Sequence, residues 1–350
     1  MQNTSKQTAV LEPAETNIQS YTSSKQLLDL GDVLLNATVA YQTFGNTANK
    51  QTHCIWVCHA LTGNTDPTTW WEALFTEEGA FPLSKYYVVC ANIYGSPYGS
   101  SSPLSQNPNT QEAYYKTFPS ITTRDIATSF EGLRNQLGIN KIHTLIGGSL
   151  GGQCALEWAC TYPNICNYLV PIATNAVHSA WGKAFNTSQR MAIETDQTWQ
   201  LNSPTAGEQG LAVARSIAML SYRSAEIYNS KQSDDVNTVN MFKADTYQRY
   251  QGQKLTERFN AHAYWFLSKT MDNHNLGRNR VCIKTALSTV KAKALVMSIN
   301  SDLLFTPKES GFIAQHLPNA QYTELQSRYG HDGFLIETEQ INRHLKQFIK

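Results

Sequence analysis

The chain has 350 residues with 28 basic and 27 acidic side chains, a formal charge of +1. That is enough length for one large domain with an insertion, and too little net charge to argue for nucleic acid or an anionic membrane as partner. No apolar stretch approaches the roughly 20 residues of a bilayer-spanning helix, and the polar beginning lacks the charged start and apolar run of a secretory signal. The seven cysteines, Cys54, Cys58, Cys90, Cys154, Cys160, Cys166 and Cys282, are odd in number and mostly set in apolar runs. They read as reduced thiols and a cytoplasmic address.

In chain order, residues 1–20 are rich in Thr, Ser, Gln and Asn without periodicity and are expected to form a flexible arm. Loose apolar alternation over 26–44 around Gly31-Asp32 predicts an antiparallel hairpin at a sheet edge. Short apolar runs at 54–60, 86–93, 141–147, 168–173, 293–299 and 321–325 predict strands. A helical period through Ile126, Phe130, Leu133 and Leu137 follows the cap-like run Thr122-Thr123-Arg124-Asp125. Strands alternating with helices imply an α/β fold whose mostly parallel sheet carries helices on both faces. The alternation lapses after about residue 175, where patterns at 187–199, 210–224, 239–259 and 261–272 are helical. The expected organisation is therefore a core of 21–175 and 286–350, with a helical lid inserted at 176–285 over the carboxyl edge of the sheet, where open α/β folds place their sites.

The run Gly147-Gly148-Ser149-Leu150-Gly151 joins an apolar strand to a helix, the context in which G-x-S-x-G forms a nucleophile elbow. Glycines on either side leave room for a strained turn that lifts the serine hydroxyl above the sheet and aims the Leu150 N–H at a developing oxyanion. The same pattern could also cradle a phosphate or close a corner. The partners decide between these readings, because this fold orders them Ser, then Asp or Glu, then His. Asp302 ends the apolar run 294–301, although as an isolated residue it reads equally as a turn or a helix cap. His331 sits in a glycine-marked loop after the last expected strand. His178, His262 and His274 precede Asp302, and His316 and His344 fall in expected helices. Ser149, Asp302 and His331 are therefore the expected catalytic triad, with serine acylated and histidine as the base. A second oxyanion donor is expected from the Leu61 N–H after the strand 54–60, with His59 a structural residue of that turn. Histidine and cysteine spacing offers no metal site.

At Ala40-Tyr41-Gln42-Thr43-Phe44-Gly45, Cys58-His59-Ala60-Leu61-Thr62-Gly63, Trp70-Trp71, Gly147 to Gly152, Gln189-Arg190-Met191, Ser301-Asp302-Leu303 and Gly330-His331-Asp332 the chain resembles the homoserine O-acetyltransferase family of the α/β-hydrolase superfamily. The resemblance implies ping-pong transfer of an acetyl group from acetyl-CoA, as substrate and not as a resident cofactor, to the side-chain hydroxyl of L-homoserine, a step toward methionine. It also implies that Arg190 pairs with the acceptor carboxylate, that Asp332 receives its ammonium, and that the chain forms a homodimer through the helical insertion. A succinyl donor, a serine acceptor, an esterase with the same triad and a non-catalytic binder on the same scaffold are the alternatives. A succinyl donor would need a cation in the acyl pocket, and none is identifiable from the sequence.

Overall fold

Alternate side chains of the strand Cys54–Cys58 (β3) enter two different hydrophobic layers: Cys54, Trp56 and Cys58 one, Ile55 and Val57 the other. A two-residue period with apolar residues on both sides is what a strand covered by helices on each face requires. In the computed structural model, which describes residues 18–349, β3 lies in an eight-stranded sheet of order β1-β2-β4-β3-β5-β6-β7-β8. The strands are Gln19–Leu27 (β1), Val33–Gly45 (β2), β3, Tyr87–Ala91 (β4), Ile142–Gly148 (β5), Cys166–Ile172 (β6), Lys293–Ile299 (β7) and Ala320–Leu325 (β8). The first two pairings, β1 with β2 and β2 with β4, are antiparallel, and the others are parallel.

The edge hairpin turns at Gly31, whose φ of 99° suits glycine. Most of the expected arm lies outside the described residues, and its last two residues, Gln19 and Ser20, belong to β1.

Short helices Pro67–Trp70 (α1) and Glu72–Phe75 (α2) precede Thr123–Gln136 (α3) and Leu150–Thr161 (α4). Between β6 and β7 come Ala180–Glu194 (α5), Glu208–Tyr222 (α6), Ala225–Gln232 (α7), Lys243–Thr256 (α8), Ala261–Asp272 (α9) and Ile283–Ser288 (α10). Pro307–His316 (α11), Gly333–Ile336 (α12) and Thr338–Phe348 (α13) complete the chain. Helix α3 starts where the sequence marks it, with a capping box between Thr122 and Asp125. Helix α5 begins earlier than apolar periodicity suggests, because the Ser179 hydroxyl caps it by accepting from the Gly182 N–H at 3.1 Å.

On one face of the sheet, Phe130 of α3 and Trp158 of α4 pack on Trp56, with the two indoles edge to face at 4.9 Å. On the other, Trp71, Leu74, Phe334, Ile341 and Leu345 cover Ile55, Val57 and Ile146. Each fully buried side chain of this size contributes about 2 kcal/mol from area alone. The Trp56 contacts add up to roughly 1 kcal/mol of ring geometry. This packing fixes the carboxyl ends of β3, β5, β7 and β8 relative to one another, and the candidate site residues follow those four ends.

Candidate active site

Ser149 follows β5 directly and caps α4 with φ 57° and ψ −126°, a backbone conformation that costs about 1–3 kcal/mol for a residue with a side chain. Three hydrogen bonds hold it there. The Ser149 N–H donates to the Ile172 carbonyl at 3.0 Å, and its own carbonyl accepts from the Gln153 N–H at 3.1 Å and the Thr174 hydroxyl at 2.8 Å. The close approach of α4 to β3 explains the glycine at 151: a Cβ there would sit 2.0 Å from the Cys58 carbonyl oxygen.

Beyond β7, Asp302 combines the two readings its position allows. Oδ1 accepts from the N–H groups of Leu304 at 2.8 Å and Phe305 at 2.9 Å, closing a turn. Oδ2 lies 2.7 Å from His331 Nδ1. That pairing leaves the proton on Nδ1 and the lone pair on Nε2, which stands 2.9 Å from Ser149 Oγ. The imidazole is stacked on Phe305 at 5.0 Å and touches the rings of Phe334 and Tyr222, at 5.2 and 5.7 Å. Ser301 ties its loop down by accepting from the Gly330 N–H at 3.0 Å and donating to the Ser327 carbonyl at 2.6 Å. Ser149, Asp302 and His331, separated by up to 182 residues in sequence, thus form one buried hydrogen-bonded line.

A cavity of about 350 Å³ opens over this line, lined among others by Leu61, Thr62, Tyr98, Ser149, Arg215, Tyr222, Arg258, His331 and Asp332. A larger groove of about 700 Å³, between α5 and α11, contains none of the triad. Leu61 sits in the turn 60–63, closed by the Gly63 N–H donating to the Ala60 carbonyl at 2.9 Å. The Leu61 N–H has no acceptor among the described residues, nor does that of Leu150 at the first position of α4. His59 is no base for this site. Burial lowers its pKa, its Nδ1 donates to the Ala60 carbonyl at 2.8 Å, and Nε2 lies 2.8 Å from the Asn92 side-chain amide.

Arg190, expected to meet the acceptor carboxylate, is held by other side chains here. Its guanidinium pairs with Asp272 at 2.6 Å and donates to Ser268 and Thr187, each at 3.0 Å, so it fastens α5 to α9 and does not line the cavity. Asp332 does line it, paired through Oδ2 with Arg223 Nε at 2.9 Å. The cavity guanidinium on α6 is Arg215, 5.4 Å above the Tyr222 ring and without a carboxylate partner among the described residues. It stands in the stripe that buries Leu211, Ala214 and Ala218, and a charge on the apolar face of a lid helix was the signal that could have found it. Among the described residues no cluster of His, Cys, Asp or Glu is suited to a metal, and no helix is long and apolar enough to cross a membrane.

A serine strained above a parallel sheet and hydrogen-bonded in line with a histidine and an aspartate from the loops after later strands is the arrangement of the α/β-hydrolase class, and the model of the alpha/beta hydrolase fold matches residues 55–338. The homoserine O-acetyltransferase of Cyclobacterium marinum is 47% identical over 321 residues, 92% of each chain. The chain therefore belongs to the homoserine O-acetyltransferase family. Among solved structures, the homoserine O-acetyltransferase of Staphylococcus aureus superposes with a TM-score of 0.80 at 28% identity, over 95% of both chains. Esterase E22 shares the fold, with a TM-score of 0.84 at 20% identity over 95% of this chain and 99% of its own.

Proposed function

We propose that this acyltransferase carries an acetyl group on Ser149 from acetyl-CoA to the side-chain hydroxyl of L-homoserine. His331 Nε2 takes the Ser149 proton as Oγ attacks the thioester carbonyl. Asp302 stabilises the imidazolium, and the N–H groups of Leu61 and Leu150 receive the negative charge on the carbonyl oxygen. The C–S bond then breaks and the proton passes to the departing thiolate. In the second half, His331 deprotonates the homoserine hydroxyl, which attacks the acetyl-serine. The new ester leaves, and Ser149 Oγ regains its proton.

The observation that carries this reading is the hydrogen-bonded line of Ser149, His331 and Asp302 at the floor of a cavity that also presents a guanidinium and a carboxylate. An amino acid carries both opposite charges, so Arg215 is proposed for the acceptor carboxylate, in place of Arg190, and Asp332 for the ammonium. Helices α5 to α10 act as a lid: α6 packs against the segment Gly330–Asp332 that carries His331, which limits the water reaching an acyl-serine. The same insertion exposes Met191, Val213, Leu220 and Tyr250, which supports a homodimer assembled through it. Six buried free cysteines and one exposed suit a reducing, cytoplasmic setting.

The test is to incubate the protein with acetyl-CoA or succinyl-CoA, each with homoserine or serine, and identify the products by mass. O-acetyl-homoserine as the dominant product supports the reading. CoA release that ignores the amino acid would make the protein an esterase-type hydrolase.

A further inference from the structure

Arg258 stands in the turn between α8 and α9, inside the helical insertion, yet its guanidinium reaches the core. Nη1 donates to the Thr62 carbonyl at 2.7 Å and to the Tyr98 hydroxyl at 2.8 Å, and Nη2 lies 3.4 Å from Thr62 Oγ1. Its acceptors among the described residues are all neutral.

The Thr62 carbonyl shares a peptide group with the Gly63 N–H, which donates to the Ala60 carbonyl at 2.9 Å. The Ala60 carbonyl shares the next peptide group with the Leu61 N–H. A trans peptide holds its C=O and N–H antiparallel, and the described chain has no cis bond, so each hydrogen bond in the series sets the direction of the one after it. The series has a fixed positive charge at one end and the proposed oxyanion donor at the other. His59 Nδ1 adds a second donor at the Ala60 carbonyl, 2.8 Å away, and holds the same peptide from the core side.

We propose that Arg258 is a positioning residue of the oxyanion hole, acting on the Leu61 N–H through two peptide groups. It holds the turn 60–63 at the angle that points this N–H toward the reacting carbonyl. Because hydrogen bonds in series polarise one another, it also makes the N–H a stronger donor. The inference rests on the acyl-serine reading given above. It gives the insertion a part in the chemistry beyond excluding water: the roof carries the cation that sets the oxyanion turn of the core.

A cation at the mouth of the cavity has one competing role, which is to hold a phosphate of CoA. The test separates the two by comparing the unsubstituted protein with Arg258→Gln and Arg258→Lys, using acetyl-CoA and p-nitrophenyl acetate, a donor without phosphate. Burst kinetics report acylation of Ser149, and infrared difference spectra with a carbon-13 acetyl label report the carbonyl stretch of the acyl-enzyme. Arg258→Gln is expected to slow acylation by both donors about tenfold and to leave the KM for acetyl-CoA unchanged. Its acyl carbonyl band moves to higher wavenumber as the oxyanion hydrogen bond weakens, and Arg258→Lys recovers part of both effects. A raised KM for acetyl-CoA with p-nitrophenyl acetate unaffected would assign Arg258 to donor phosphate and overturn the proposal. So would an acyl carbonyl band that stays in place. If Arg258→Gln does not fold, Tyr98→Phe, which removes one acceptor that orients the guanidinium, is held to the same readouts, with a smaller shift in the same direction expected. Failure of the unsubstituted protein to acetylate Ser149 would instead overturn the acyl-serine reading, and this inference with it.

Discussion

Arg190 and Asp272 form a 2.6 Å ion pair between α5 and α9, with both side chains largely buried and Asp272 also accepting from the Asn186 amide at 2.9 Å. The pair is a structural rivet of the insertion, while Arg215, one helix further on, faces the cavity without a carboxylate partner among the described residues. The two arginines should therefore fail differently when truncated.

Arg215→Ala is expected to raise the KM for the acceptor by about 10- to 100-fold, the worth of a charge-assisted pair to a carboxylate, and to change the KM for acetyl-CoA little. Asp332→Asn should act in the same direction through the ammonium. Arg190→Ala should leave both KM values near their starting point and cost about 3 kcal/mol of stability, because it strands Asp272 among buried groups. Steady-state kinetics with urea unfolding on the same samples checks all three. A selective acceptor defect in the Arg190 variant would return that residue to the binding role.

The elbow makes a steric prediction. A methyl at position 151 would meet the backbone of Cys58 and His59, at 2.0 Å from one carbonyl oxygen and 2.8 Å from the other, and no side chain can move to relieve this. Gly151→Ala should cost about 3 kcal/mol and disturb the turn 60–63, proposed above to carry an oxyanion donor, which begins one residue later. An unchanged urea midpoint would contradict the close approach of α4 to β3.

Acid should weaken the fold through His274. Its Nε2 donates to the Asn175 carbonyl at 3.1 Å and its Nδ1 accepts from the Thr123 hydroxyl at 2.9 Å, so the ring is held neutral, and burial lowers its pKa from 6.5 to about 3. The unfolded chain takes up this proton near pH 6.5, whereas the folded chain does not until about 3. Stability therefore falls as pH drops through that window, by about 1 kcal/mol per unit for this group. His178, lowered to about 4 mainly by burial, acts in the same sense. His274→Gln should show a shallower decline of the urea midpoint between pH 6.5 and 4, and an equal slope would remove His274 as a cause.

Much of this architecture is legible in the sequence because strands buried on both faces leave short apolar runs, and the residues that follow them in the chain are the ones the sheet brings together. The strand Lys293–Ile299 coincides with its expected run, and Ser149, Asp302 and His331 follow strand ends in the order this fold uses. The partners of Arg190 were not legible in this way. Which arginine of a helical insertion faces the cavity depends on helix rotation and on partners far along the chain: Asp272 lies 82 residues from Arg190, and no local pattern announces it. Arg258 was illegible for the same reason, since its contacts at Thr62 are 196 residues away.

Peptide mass spectrometry of the protein mixed with acetyl-CoA and no acceptor tests the acyl-serine reading most directly. One acetyl group is expected on the peptide containing Ser149, discharged as O-acetyl-homoserine when homoserine is added and absent from Ser149→Ala. An acetyl group on another residue, or turnover retained by Ser149→Ala, would contradict that reading.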